Sequence, residues 1–152
     1  MSVKEVLQEQ ISACGDQNTW FVSLLNAIKG ISEEQANWKP DEASNSIFEL
    51  INHLIYYNHR YLNRLKDIPI TEGEESSTFS NRKGLSWGEV SAQITEIMTE
   101  WKQVIEDSTE KHLDKWASDL AHLTLHTSYH TGQILYIRKL QGSWNPKNGV
   151  QG

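Results

Sequence analysis

Residues 120–134 read Leu120-Ala121-His122-Leu123-Thr124-Leu125-His126-Thr127-Ser128-Tyr129-His130-Thr131-Gly132-Gln133-Ile134. Three of the six histidines fall here at four-residue steps. Residues four apart on a helix lie one turn apart on nearly the same face. His126 and His130 can therefore converge on one point, and H-x-x-x-H is a common way for a helix to chelate a metal. At about 100° per residue, Trp116, Leu123, Thr127, Ile134 and Ile137 form one stripe. His126 and His130 fall inside that stripe and His122 toward its edge. Histidines on a core-facing stripe need partners, because an unpaired buried polar group is costly. They either bind a metal or hydrogen-bond to neighbouring helices. His122 lies two turns from His130, roughly 12 Å along the axis, whereas metal–nitrogen bonds are about 2.0–2.1 Å. A third ligand must come from another helix.

The fourth-helix pattern runs from about Trp116 to Gln141, where Arg138 and Lys139 suit a C-terminus and Gly142 stops it. Upstream, Ser86-Trp87-Gly88-Glu89 is a capping box that opens a third helix. Its apolar positions Val90, Ile94, Ile97, Met98, Trp101, Val104 and Ile105 keep helical spacing to about Ser108. A second capping box, Ser46-Ile47-Phe48-Glu49, opens a helix that reaches about Lys66. Ile47, Leu50, Ile51, Leu54, Tyr57, Asn58, Tyr61 and Leu65 line its core arc. A first helix is expected over 3–29, with Gly15 a weak point within it and Gly30 as its stop. Residues 31–45 connect, with a turn of helix from Ser32 to Ala36, and Pro40 disfavours helix at Lys39. The short 109–115 link is expected to make the third and fourth helices neighbours. Residues 67–85 are a long irregular connection between the second and third, read as a solvated acidic crossover or as a cover over a site with Phe79 at its tip. The fold class is all-α: an antiparallel four-helix bundle in one domain over 1–152.

The chain has 152 residues and 14 basic against 20 acidic side chains, net −6. That balance argues against nucleic acid or an anionic membrane surface as partner. No apolar run approaches the ~20 residues needed to span a bilayer, and the charged N-terminus is no signal peptide. Cys14 is the one cysteine, so no intrachain disulfide forms and a reducing cytoplasm is the expected compartment. Cys14 sits in a helical apolar pattern and reads as an inert packed thiol. Six tryptophans are spread along the chain as core and loop anchors.

His53 sits on the shoulder of the second helix's core arc, beside Leu50 and Tyr57. It is the better candidate for the missing ligand. His59 projects from nearly the opposite side and reads as a solvated rim residue, and His112 as a surface one. Tyr56, Tyr57 and Tyr129 read as core or rim packing, with hydrogen bonding near a metal as the sharper alternative. Arg60, Arg64, Arg82 and Lys83 are the cations available to an anionic ligand. The tail from Ser143 is expected to fray, with Trp144 docking it.

Three segments together resemble the DinB-like (DinB/YfiT) superfamily: Ser46-Ile47-Phe48-Glu49-Leu50-Ile51-Asn52-His53-Leu54, His126-Thr127-Ser128-Tyr129-His130-Thr131-Gly132-Gln133-Ile134, and Arg138-Lys139-Leu140-Gln141-Gly142-Ser143-Trp144. The resemblance implies a metal site of His53, His126 and His130 holding a divalent ion such as nickel or zinc, with waters in the remaining positions. His122 has no place in that triad. The resemblance also implies homodimers, and thiol-dependent transferases or a thiol-dependent isomerase among related folds. The expected partners are then a small-molecule thiol and an electrophilic substrate. The functional expectation is a metal-dependent enzyme of the thiol-transferase or hydrolase type, because three imidazoles leave open positions on a metal. The alternative is a non-catalytic, stress-related metal-binding or interaction module.

Overall fold

The computed structural model describes residues 1–70 and 77–151. The acidic part of the crossover, from Thr71 to Ser76, and the terminal Gly152 lie outside the described residues. Among the described residues six α-helices follow in order: α1 Val3–Gly15, α2 Leu24–Ile28, α3 Glu33–Asn37, α4 Ile47–Leu65, α5 Trp87–Asp107 and α6 Glu110–Leu140. No strand occurs among the described residues. Both capping boxes read from the sequence form, with the Ser46 hydroxyl accepting from Glu49 N–H and the Ser86 hydroxyl from Glu89 N–H. Two more, Ser2–Glu5 and Ser32–Gln35, open α1 and α3. Each such cap is worth about 1 kcal/mol.

The bundle is built from α1, α4, α5 and α6. Lys4 Nζ donates to the carbonyls of Glu106 at 2.6 Å and Ser108 at 3.1 Å, and Lys102 pairs with Asp16 at 2.6 Å. The start of α1 thus meets the end of α5, so the two run antiparallel. α4 and α6 are antiparallel as well: His112 meets Leu65, while Asn58 meets Thr127. α4 and α5 run in the same direction, with Phe48 and Trp87 ring centroids 5.6 Å apart at their starts and Lys66 paired with Glu100 further along. The long connection is what allows this, since a chain leaving the end of α4 must travel back roughly 28 Å to begin α5.

Several sequence expectations change. The first helix stops at Gly15 instead of continuing to Lys29. Asp16 and Gln17 N–H groups both return to the Ser12 carbonyl. Asn18, inside the expected helix, uses its Oδ1 to accept from Ser23 N–H at 3.0 Å and holds the turn. Second, α5 and α6 do not pack side by side; each packs on α1 and α4, so they are diagonal. A short link brings two helix ends close, but matching of apolar faces selects the neighbours along the length. Third, α6 begins at Glu110, capped by the Thr109 hydroxyl, so the expected link before Trp116 is helix. Fourth, the tail does not simply fray: Trp144 docks as expected, 5.2 Å from the Arg138 guanidinium carbon, and Pro146–Asn148 add a 3-10 turn. Arg138 is buried and donates to the carbonyls of Ala27, Lys29 and Ser143.

The core lies between the four long helices. Leu50, Ile51 and Leu54 from α4 meet Ile94, Trp101 and Ile105 from α5 and Leu120, Leu123 and Ile134 from α6. Full burial of such side chains is worth about 1.5–3 kcal/mol each. Trp20 departs from the expected anchoring role and is 96% exposed.

Candidate metal centre

The antiparallel pairing of α4 and α6 sets His53 opposite the turn that carries His126 and His130. Behind the histidines, buried Asn58 donates to its own helix at the Leu54 carbonyl, 2.8 Å away, and approaches the Thr127 hydroxyl at 3.4 Å. Thr131 donates back to the Thr127 carbonyl. These bonds satisfy the polar groups that the stripe buries. His53 and His130 are each only 8% exposed, and His126 is half-buried.

Nε2 of His126 lies 3.1 Å from Nε2 of His53 and 3.1 Å from Nε2 of His130. One nitrogen from each ring lies within 4.8 Å of the others. Two nitrogens bonded to one ion at about 2.0–2.1 Å stand about 2.9 Å apart along an octahedral edge and about 3.4 Å apart along a tetrahedral one. The two 3.1 Å spacings to His126 fall between.

The outer nitrogens are also held. Nδ1 of His130 lies 2.7 Å from Gln133 Oε1, an acceptor, so the ring donates there and turns the Nε2 lone pair inward. Nδ1 of His53 lies 2.6 Å from the Thr78 hydroxyl. His130 donates outward, and when His53 also carries its hydrogen on Nδ1, His126 has one hydrogen for two facing lone pairs. At most one of the two 3.1 Å contacts can then be an N–H···N bond. A cation between the three nitrogens satisfies all of them, so the donor set fits a divalent metal. Burial first, then nearby His130 and His126, pull His53 down from its ordinary 6.5 to about 4. Burial and then His130 lower His126 as well. Both rings stay neutral near pH 7, the form that binds metal.

Of the other histidines, His59 and His122 are exposed and outside the cluster. His112, expected at the surface, is half-buried, and its Nε2 lies 2.6 Å from the Leu65 carbonyl. The early start of α6 puts His112 in its first turn, against the open C-terminal carbonyls of α4. Tyr57 meets His53 and His126 edge-on, with centroids 4.9 and 5.3 Å apart. Tyr129 stands beside His130 but is exposed. Phe79 stacks on His53 with centroids 4.2 Å apart.

A cavity of about 320 Å³ lies between α4 and the crossover, lined by Arg60, Arg82, Lys83, Tyr56, Asn52 and Thr78 among others. Three of the four expected cations line it; the fourth, Arg64, lies over the Tyr61 ring. None of the three clustered histidines lines this cavity. Thr78 belongs to both, lining the cavity and touching Nδ1 of His53. Sequence reasoning had named neither Thr78 nor a role for Gln133. Gln133 carries a signal, being three residues from His130 on the same helix. Thr78 carries none.

Fold and cluster define a helical-bundle protein with a metal-competent histidine triad between two antiparallel helices. A family model of the DinB superfamily matches residues 19–134, and the chain belongs to that superfamily. The match includes all three histidines and leaves α1 outside. No curated protein and no solved structure matches the chain. Among the described residues, no helix is long and apolar enough to cross a membrane.

Proposed function

We propose that the chain, acting as one domain, binds a divalent metal, nickel or zinc, through Nε2 of His53, His126 and His130, and uses it as a metal-dependent enzyme of the thiol-transferase or hydrolase type. The observation that carries metal binding is the convergence of three Nε2 atoms whose rings are oriented from behind. Three protein ligands leave open positions, the pattern of catalytic sites. A divalent ion held there supplies a Lewis acid that acidifies a water or a thiol. The chain's own part is to keep the rings neutral and aimed, and to shield His53 and His130 while His126 remains half-buried, which favours approach from the His126 side. A small-molecule thiol and an electrophile are the proposed reactants. The lone Cys14 supports a reducing, cytoplasmic setting.

One observation favours the second reading, a non-catalytic metal-binding or interaction module: the 320 Å³ cavity does not reach the imidazoles. The test begins with elemental analysis of untagged protein purified without chelators, beside the His53→Ala/His126→Ala/His130→Ala variant. About one ion per chain in the parent and none in the variant is the expected result. No ion in either, even after reconstitution with excess metal, overturns the metal reading. Thiol-transfer and hydrolytic assays on the loaded parent then separate enzyme from binding module.

A homodimer is the proposed assembly. Leu125, Tyr129, Tyr136 and Leu140 are exposed along one face of α6. Their order is palindromic about Gly132-Gln133, so two copies of α6 laid antiparallel set Leu125 against Leu140 and Tyr129 against Tyr136. A two-fold interface requires that kind of self-complementarity. Sedimentation should give a two-chain mass for the parent and a one-chain mass for Tyr136→Glu/Leu140→Glu; a one-chain parent refutes the assembly.

A further inference from the structure

We infer that Thr78 is a positioning residue for the metal: its hydroxyl selects which nitrogen of His53 faces the centre. This deepens the metal-binding reading and rests on it. A histidine on a helix can turn its ring over and present either nitrogen at little cost in shape. Only an unprotonated nitrogen binds metal, so the ring must be both oriented and carry its hydrogen on the outer side. The crossover supplies both. Thr78 Oγ1 stands 2.6 Å from Nδ1 of His53. It accepts the Nδ1 hydrogen and leaves the Nε2 lone pair toward His126. Phe79 lies flat on the same ring, 4.2 Å away and 2° from parallel, which holds the ring plane. The Asn52 side-chain amide donates to the Phe79 carbonyl at 3.3 Å, tying this pair of residues to the helix position just before His53.

The three ligands are not held alike. His130 takes its outer partner, Gln133, from its own helix, and that contact forms whenever α6 forms. His53 takes its partner from a segment 25 residues away. Among the described residues, no hydrogen bond reaches Nδ1 of His126. Metal affinity thus depends on how the α4–α5 crossover is placed as well as on the two helices that bear the ligands. Partners of this kind are commonly worth 10–100-fold in metal affinity.

The test is calorimetric titration of the chelated full chain with zinc and with nickel. Thr78→Val keeps the shape and removes the hydroxyl, and Thr78→Ser restores the hydroxyl. Affinity should fall about 10–100-fold in Thr78→Val and stay within about threefold of the parent in Thr78→Ser. Long-range proton–nitrogen spectra of the metal-free chain should show the His53 hydrogen on Nδ1 in the parent and the serine variant, and divided between nitrogens in the valine variant. Parent-like affinity in Thr78→Val overturns the inference while leaving metal binding intact. Equal weakening by valine and serine overturns it too, because shape and not the hydroxyl would then be at work. Absence of metal binding in the parent fails the underlying reading instead.

Discussion

Phe79 and His53 stack face to face, 4.2 Å apart and within 2° of parallel, although one belongs to an irregular crossover and the other to a helix. The contact covers one face of a histidine that the opposing helix leaves open. Phe79→Ala should therefore lower stability by about 1–2 kcal/mol, less than truncating a fully buried ring, since Phe79 is only partly buried. It should also speed metal release. Urea unfolding and chelator-driven dissociation read the two effects. A Phe79→Ala chain with unchanged midpoint and release rate would mean that the stack is energetically idle.

The histidines should separate cleanly in a metal assay. His126→Ala and His130→Ala each abolish stoichiometric binding, whereas His59→Ala and His112→Ala retain it. His112→Ala should nevertheless destabilise the fold by about 1 kcal/mol, because it strips a donor from the Leu65 carbonyl at the end of α4. Metal analysis and thermal melts on the four variants check this, and loss of metal from His59→Ala would contradict the assignment.

Stability of the metal-free chain should depend on pH in a defined direction. His53 is lowered to about 4 and His126 is lowered too, while unfolded histidine titrates near 6.5. Between about pH 6.5 and 4 the unfolded chain binds protons that the folded one refuses, so unfolding becomes easier as pH falls through that window. Above it the two states are equally neutral and the effect vanishes. The Tm difference between pH 7.5 and pH 5 should shrink in His53→Gln/His126→Gln. An undiminished difference would place the sensitivity elsewhere.

Cys14 is buried and its thiol is pushed up to about 12 by burial. In the native chain at pH 8 it should resist iodoacetamide, and it should react at the rate of a free thiol once unfolded in urea. Rapid labelling of the folded protein would show that α1 opens from the bundle.

Much of this architecture was legible one segment at a time. Ser46–Glu49 and Ser86–Glu89 mark helix starts because a capping box closes within four residues. The burial of Leu50, Ile51 and Leu54, or of Ile94, Trp101 and Ile105, follows from a 3.6-residue period. The pairing of His126 with His130 is settled by a spacing of one turn. Where a local competitor exists, the same reasoning went astray: helical periodicity past Gly15 lost to the Asn18 side chain, which accepts from Ser23 and turns the chain.

The sequence by itself determined the all-α class, the capped starts of α4 and α5 and the face on which two histidines stand, since those depend on contacts three or four residues apart. Tertiary structure decided that α5 and α6 are diagonal, that His112 serves the end of α4, and that Thr78 and Phe79 meet His53. Those contacts join residues that share no periodicity, so only the packing of whole helices, and of the crossover against them, brings them together.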